Sequence, residues 1–368
     1  MDFKLKKCVF VCAAGLLAAA LPSCSNEDEE SGGTISYGKL ASEVPPVANA
    51  GIQFPVTGIY HGYSSGFGNS SLGQAYTYRD GRMTGGYERL NDEVIEITSN
   101  PLTVRISRKT SYVEEVEEYK NIKVNSDGFI TSCECEYHEI DEDEDYMEHC
   151  TYTLAYDSEG HRILEKYHLT DVDGYWENGT TTYTWEDGNL IKTEWVWESI
   201  DDEDEEGVDW RYTEEMTYDE DETRYPNTGV WHFYDLGAVG NDSFYDAFLY
   251  AGLLGRSTKN IPLTFKENQY FDEDYYVYTT TGVNYNQDGS IESIHSIYDR
   301  TSSWGGNSTG ASSHVYFRYG QEWDEDWTSF MSQRLTKSLD NGVRKPRKTL
   351  SPRKRLQERM AQRMANLK

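Results

Sequence analysis

The sequence predicts a mainly β protein: an antiparallel meander of hairpin repeats that forms a strongly curved sheet or a partly closed soluble barrel. Two patterns predict this fold. Runs with a period of two, such as Tyr152, Leu154 and Tyr156, place alternate side chains on one face of a strand. Tight glycine turns separate these runs and join one strand to the next. We therefore expect strands that pair with their neighbours in sequence.

The glycine turns share one form. An aromatic or aliphatic residue is followed by a polar turn, a glycine and an apolar residue, and glycine adopts a positive φ without strain. Each unit is predicted to be a strand, a turn and a return strand, and the units to stack as a meander. The segments are Tyr78–Met83, Val124–Ile130, Tyr156–Ile163, Trp185–Ile191 and Tyr285–Ile291.

One short helix is predicted near residues 241–254. Asn241 or Asp242 can cap it, Phe244, Phe248 and Leu249 or Gly252 follow at helical spacing, and Gly252 or Gly255 can end it. We expect this helix to plug or cap the sheet.

The chain divides into four predicted segments. The C-terminal one contains a predicted helix over 352–366, with Leu356, Met360 and Met364 along one side. The segments are a lipoprotein signal peptide (1–23), a flexible tether (24–55), the β-repeat domain (56–333) and a basic tail (334–368).

The first residues are typical of an exported lipoprotein. Three lysines precede the short apolar run Cys8–Leu21, and Leu21–Cys24 resembles a lipobox. We expect lipid on Cys24 and anchoring in the outer membrane; the alternative is an ordinary signal peptide with a chance cysteine. The acidic stretch Ser25–Glu30 resembles a surface-export tag of Bacteroidota lipoproteins, or is a solvated linker.

Charge is distributed very unevenly along the chain. Residues 1–23 carry three lysines and one aspartate, so their removal changes the net charge from −30 to −32. Such a chain repels nucleic acid. Residues 334–368 carry twelve Lys or Arg and two acids. This tail either binds an anionic surface such as lipopolysaccharide phosphates or lies against the protein's own acidic face.

Three cysteines remain once Cys24 carries lipid: Cys133, Cys135 and Cys150. A disulfide from Cys133 or Cys135 to Cys150 would leave one thiol. A zinc site that adds His138 or His149 is a second possibility, although strand alternation points these histidines away from some of the cysteines. Free buried thiols are the third.

Acidic runs, of which Glu139–Asp145 is the first, could supply oxygen ligands for calcium. Asp141, Asp143 and Asp145 have the spacing of an EF-hand loop, but Tyr146 occupies the position that requires glycine. Solvated hairpin tips are the simpler interpretation. The other runs are Asp201–Glu206, Asp219–Glu222, Asp272–Asp274 and Asp324–Asp326.

No catalytic motif is present. The sequence contains no Gly-x-Ser-x-Gly elbow, His-Glu-x-x-His pair, P-loop or dinucleotide fingerprint. Four tryptophans are candidates for stacking on sugar rings, or for core and cross-strand pairs: Trp176, Trp195, Trp197 and Trp304.

The lipobox, the glycine-turn units and the segment Leu249–Pro262 resemble a Bacteroidota lipoprotein family of unknown function that is described as porin-like, over about residues 56–320. The turn units alone also resemble the tyrosine-aspartate repeats of Rhs-type proteins. The resemblance implies a barrel-like fold and no catalytic residues; the basic tail departs from it. A membrane-spanning barrel is not implied, because Val113–Tyr119 places carboxylates on both strand faces.

We therefore expect a surface-anchored lipoprotein that binds a glycan or a protein partner without catalysis. One alternative is a carboxylate-dependent glycoside hydrolase. The other is a structural envelope protein that contacts lipopolysaccharide through its basic tail.

Overall fold

The structure, a computed structural model, describes most of the chain between residues 38 and 320. The predicted signal peptide, the basic tail with its helix 352–366, Trp304 and the start of the predicted helix near 241 lie outside it. The described ranges are 38–63, 71–88, 92–109, 113–140, 145–172, 176–201, 204–221, 223–230, 243–269, 275–301 and 308–320.

The described residues are mainly β, with the helix α1 (Ser243–Tyr250) and a short 3₁₀ turn (Val47–Ala50). The strands are β1 (Lys39–Leu40), β2 (Val56–Tyr63), β3 (Ser71–Arg79), β4 (Arg82–Glu88), β5 (Glu93–Thr98), β6 (Thr103–Lys109), β7 (Glu114–Val124), β8 (Ile130–Ile140), β9 (Asp145–Tyr156), β10 (Arg162–Asp171), β11 (Trp176–Glu186), β12 (Asn189–Asp201), β13 (Asp204–Thr217), β14 (Thr264–Gln269), β15 (Tyr275–Tyr285), β16 (Ile291–Thr301) and β17 (Ser308–Tyr319).

Strands β2 to β17 form a closed antiparallel barrel of 16 strands. Each strand pairs with the next in sequence, and β17 pairs with β2, with Phe317 opposite Ile59 and Val315 opposite His61. The prediction of a curved or partly closed sheet is therefore wrong on closure. The pairing that closes the barrel joins the two ends of the domain, so no local sequence pattern encodes it.

The two ends of the barrel differ in their connections. Five hairpins meet at one end, which we call the turn end, and their glycines all have positive φ. We call the opposite end, where Ile140 ends β8 and Asp145 begins β9, the loop end. The predicted hairpins are present at each of the five turns, which carry Gly81, Gly128, Gly160, Gly188 and Gly289.

The N-terminal residues 38–55 belong to the folded structure, although we predicted them as part of a flexible tether. Lys39 pairs with Val124 of β7, and Val47 donates its backbone N–H to the carbonyl of Gly81 at 3.0 Å. Val44 and Ile52 are buried. The few apolar residues of this segment are thus enough to cover the turn end.

Residues 247–263, which we call the plug, fill the turn half of the barrel. They begin in α1 and leave the helix at Gly252, whose φ of +72° is left-handed. Leu253 N–H then donates to the Phe248 carbonyl at 2.9 Å, which satisfies a free carbonyl at the helix end. The predicted helix is therefore present but ends earlier than residue 254.

Backbone hydrogen bonds fix the plug to the hairpins of the turn end. Ile130 N–H donates to the carbonyl of Leu253 at 2.9 Å. Arg256 N–H donates to the Gly160 carbonyl at 2.9 Å, and Lys259 N–H to the Gly188 carbonyl at 2.8 Å. The plug therefore closes the turn half with paired backbone as well as apolar side chains.

The outward strand face is polar. On β7, Glu117 and Tyr119 are buried inside, whereas Glu118 is exposed on the outside. Ion pairs such as Lys120–Glu136 at 2.5 Å cross neighbouring strands on this face. Within the described ranges, the exposed large hydrophobic side chains are scattered: Leu40, Ile140, Met147, Val172 and Tyr316. Over the described residues of β7 to β12, apolar side chains on this face do not form the continuous band that lipid contact requires.

None of the helices in the described ranges is long and apolar enough to cross a bilayer.

Candidate functional site

The loop half of the barrel is lined by glutamates. Strand register places them inward: Glu88 lies opposite Glu93, and Glu115 lies opposite Glu139. Each is 6% exposed or less. We call this set the acidic interior; its members are Glu88, Glu93, Glu115, Glu117, Glu139, Glu148 and Glu177.

Tyrosine hydroxyls satisfy much of the acidic interior. Three of these tyrosines lie two residues from their glutamate on the same strand, so both side chains share the inward face. A buried carboxylate needs such donors, because an unpaired buried acceptor is costly. The donations are Tyr119 to Glu117 (2.7 Å), Tyr137 to Glu139 (2.9 Å), Tyr146 to Glu148 (2.6 Å) and Tyr167 to Glu177.

One arginine offsets part of the negative charge. Arg108 on β6 donates to Glu115 on β7 at 2.7 Å, and both side chains are buried. Seven carboxylates and this guanidinium give a formal charge of −6 if every group is ionised. A second buried pair, Arg162–Glu165 at 2.8 Å, lies nearer the turn end. The loop half therefore concentrates negative charge in a region of low dielectric.

The interior tyrosines keep their protons. Burial raises the pKa of Tyr137, and the nearby carboxylates of Glu115 and Glu139 raise it further. The hydroxyl of Tyr137 thus stays a donor throughout the physiological pH range.

The three cysteines lie side by side inside the barrel. Cys133, Cys135 and Cys150 are buried free thiols, and burial raises the pKa of each. Cys135 stands directly opposite Cys150 in the β8–β9 register. Directly opposed residues lie within the Cα separation that a disulfide needs. A Cys135–Cys150 bond stays a prediction, which peptide mapping of unreduced protein tests.

The structure does not gather the predicted metal ligands. His138 and His149 occupy positions that alternate with the inward Cys135 and Cys150, and they lie on the outward face. In the part of the chain that the structure describes, no group of three or more His, Cys, Asp or Glu residues is arranged to hold a metal. Of the acidic runs, Glu139 lies inside the barrel instead of at a solvated tip, and Asp219 pairs with Arg224 at 2.6 Å. Calcium binding stays a prediction.

The candidate sugar-stacking tryptophans do not form one platform. Trp176 is half-buried at an outward position beside the buried, inward Glu177. Trp195 is half-buried opposite the buried Thr181, on the inward face. Trp197 pairs with Gly179, and its side chain, like Trp304, is outside the described set. Of the two candidate tryptophans whose side chains the structure describes, Trp176 is the one on the outward face.

Sequence reasoning missed the acidic interior. Alternation showed that β7 carries acids on both faces, but not which acids face inward. A signal was present: Glu and Tyr two residues apart on one strand, as in Glu117 and Tyr119 or Tyr137 and Glu139. Such pairs place a hydroxyl donor beside a carboxylate on the same face.

No protein-family model and no curated protein matches this chain. Among solved structures, it is similar to a porin-like protein from Bacteroides vulgatus, with a TM-score of 0.46, 11% identity, and coverage of 73% of this chain and 100% of the other. It is also similar to a porin-like protein from Bacteroides uniformis, with a TM-score of 0.45, 14% identity, and coverage of 77% and 100%. These similarities are too distant to argue from, so our proposals rest on residues of this chain.

Proposed function

We propose that this chain is a lipid-anchored protein of the outer membrane whose barrel is surrounded by water and does not span the bilayer. It binds a partner without catalysis. The lipobox at Cys24 and the acidic residues after it support the anchor and the surface location. The lack of a catalytic motif in the sequence supports a binding role.

The polar outward face carries this proposal. A barrel that spans a bilayer presents an apolar band about 25 Å tall to lipid. Here most outward positions of β7 to β12 hold polar side chains, with Val116, Met147 and Val196 among the exceptions, and the plug occupies the turn half of the interior. The membrane attachment then has to come from outside the barrel wall. The outward residues include Glu114, Glu118, Lys120, Glu134, Glu136, Thr151, Thr153, Lys166, His168, Thr180, Thr182, Lys192 and Glu194.

The partner is a glycan or a protein that meets the outer surface. Trp176 is the candidate tryptophan that the structure places on this surface, where its ring could stack on a sugar. The hydrolase alternative is less favoured, because the cleft among Glu93, Glu115 and Glu117 has a cavity volume of about 10 Å³. That is room for about one water molecule, so this cleft does not admit two linked sugars.

Labelling in cells tests the anchor. An alkyne-bearing fatty acid should label the wild-type chain and not the Cys24→Ala variant, and only the wild type should fractionate with the outer membrane. External protease should remove the labelled protein from intact cells. Equal membrane retention of both chains would contradict the proposal.

The binding role is tested on the unlipidated mature chain. A glycan array should give a hit that Trp176→Ala weakens and that Val172→Ala, a change at an exposed apolar position on the same barrel, preserves. Hydrolysis of an array glycan would favour the enzyme alternative instead.

The basic tail supports a second role. Residues 334–368 carry a net charge of +10, which suits contact with lipopolysaccharide phosphates. Deletion of residues 344–368 should release an unlipidated chain from lipopolysaccharide-containing vesicles if the tail makes this contact, and should leave retention unchanged if it does not.

A further inference from the structure

Two histidines stand side by side on the outer face of strands β16 and β17. His295 lies directly opposite His314 in the register of these strands. Ile294 and Val315, which precede and follow them in the chain, are buried in the core, so both imidazole rings point outward. The ring centroids are 4.6 Å apart and the two Nδ1 atoms are 2.5 Å apart. The two rings therefore direct the same nitrogen at one point between them.

The two facing nitrogens cannot both carry a proton, because two N–H groups would then point at each other. At least one Nδ1 atom therefore presents a lone pair to its neighbour. The other ring nitrogen of His295, Nε2, lies 3.0 Å from the hydroxyl of Ser293 and 3.1 Å from the amide nitrogen of Asn284. The Ser293 hydroxyl can accept a hydrogen bond from Nε2–H, which leaves the lone pair of the ring on Nδ1, as in histidines that bind metals.

Glycines flank the histidine pair on both sides. Gly282 of β15 lies opposite His295, and Gly62 of β2 lies opposite His314. Neither residue has a side chain, and no described atom lies within 4 Å of the place that a Cβ of Gly282 would take. The pair is thus the centre of a row across four strands that is open beside His295. A metal ion and its bound water molecules have room there.

We propose that His295 and His314 bind one divalent transition-metal ion, such as zinc, through their Nδ1 atoms, with water in the remaining positions. Zinc binds imidazole nitrogen at about 2.0 to 2.1 Å, so two such nitrogens on a tetrahedral ion lie about 3.3 Å apart. The rings then need to separate by less than about 1 Å. The strongly negative net charge of the chain favours a cation. Within the described ranges no third His, Cys, Asp or Glu residue joins the pair, so water completes the coordination.

Calorimetric titration of the whole mature chain with zinc chloride tests this site, with Cys24→Ala present to remove the N-terminal thiol as a competing ligand. We expect saturable binding of one zinc ion at the pair. His295→Gln and His314→Gln should each weaken it by about tenfold or more, because each removes one ligand. His168→Gln is the matched control, since His168 is exposed on β10 and lies opposite Thr151 instead of a second histidine. It should change the affinity by less than about twofold.

Should either variant fail to fold, chemical footprinting of the wild-type chain decides the question. Diethyl pyrocarbonate modifies neutral imidazole, and zinc should protect His295 and His314 from it while His168 stays reactive. Peptide mass spectrometry reads each residue separately.

The proposal is overturned if zinc does not bind, if both single variants bind zinc as tightly as the parent chain, or if zinc leaves the two histidines as reactive as before. A hydrogen bond between the two imidazoles would then be the whole role of the pair. The site does not depend on the anchor or on the outer partner, so either proposal can fail without the other.

Discussion

The interior of this barrel is filled by different kinds of side chain in its two halves. The turn half is filled by the plug, whose Phe248, Tyr250 and Leu253 are completely buried. The loop half is filled by glutamates held by tyrosine hydroxyls and by Arg108. Apolar burial stabilises in proportion to area and has no directional requirement, whereas buried carboxylates depend on each donor being in place. We therefore expect the turn half to supply more of the stability than the loop half.

The largest effect should come from the plug. Phe248 packs its ring 5.1 Å from that of Tyr119, and its side chain has no exposure. Phe248→Ala should lower the free energy of unfolding by about 3 to 5 kcal/mol through lost burial and a residual cavity. Urea unfolding of the mature chain measures this. Val172→Ala, at a 64% exposed position, is the control and should have little effect. Similar losses in both variants would mean that the plug does not support the barrel.

A smaller effect is expected at Gly179 in the loop half. A Cβ at this position would lie 1.8 Å from Cε1 of the Tyr167 ring, whose hydroxyl donates to Glu177. Gly179→Ala should therefore displace Tyr167 and cost about 1 to 3 kcal/mol in urea unfolding. Gly282→Ala is the matched control on another strand, since nothing lies within 4 Å of its Cβ. Equal stability of the two variants would show that the Tyr167 ring can move aside without loss of stability.

Each tyrosine hydroxyl of the acidic interior should contribute still less to the free energy of unfolding. Tyr119→Phe keeps the ring and removes the donation to Glu117, so we expect a loss of roughly 1 kcal/mol. Tyr316→Phe, on the exposed outer face, should be close to neutral. Urea midpoints of the two variants separate these outcomes. No loss of stability in Tyr119→Phe would indicate that a water molecule replaces the hydroxyl. The loop half would then contain more water than the low exposure of its side chains indicates.

The smallest effect belongs to the outer face. Burial lowers the pKa of His295, and His314, whose Nδ1 lies 2.5 Å from Nδ1 of His295, lowers it further, while Glu292 acts in the opposite sense. The other polar contacts of His295 are Asn284 and Ser293.

Below the ordinary imidazole pKa of about 6.5, the unfolded chain therefore binds more protons at this residue than the folded chain, and stability falls as the pH falls. His314→Gln removes one cause of the lowered pKa. Its urea midpoint should fall less between pH 7.5 and pH 5.5 than that of the wild type. An equal fall would mean that His314 has no influence on His295.

Local chemistry made the turn half largely predictable from the sequence. The glycine of Asp127–Gly128 has to adopt positive φ, and its φ is 92°. The helix that contains Phe248 was predictable from its spacing, and Gly252, one of the two glycines expected to end it, has a φ of 72° just after its last turn. The hairpins and the plug could therefore be predicted, because each depends on a few neighbouring residues.

Closure of the barrel and the acidic interior could not be predicted from the sequence in the same way. Closure depends on β17 meeting β2, more than 250 residues earlier, as in the bond from Thr57 Oγ1 to the Arg318 carbonyl. The inward direction of Glu115 and Glu117, as opposed to Glu114 and Glu118, depends on how the whole sheet curves. A polar residue at each alternate position fits either face, so the alternation of β7 leaves the choice open.

The contact between β2 and β17 also constrains when the barrel can fold. Because β2 is the first barrel strand and β17 the last, their pairing cannot form until almost the whole chain has emerged from the ribosome or the export channel. Until then, β2 and the growing end each present an unpaired edge, which favours association with other chains. Long sequence separation between paired strands also slows folding. If the chain is exported, as we propose, export would have to precede closure, since the finished barrel would be too wide to thread through a channel that passes extended chains.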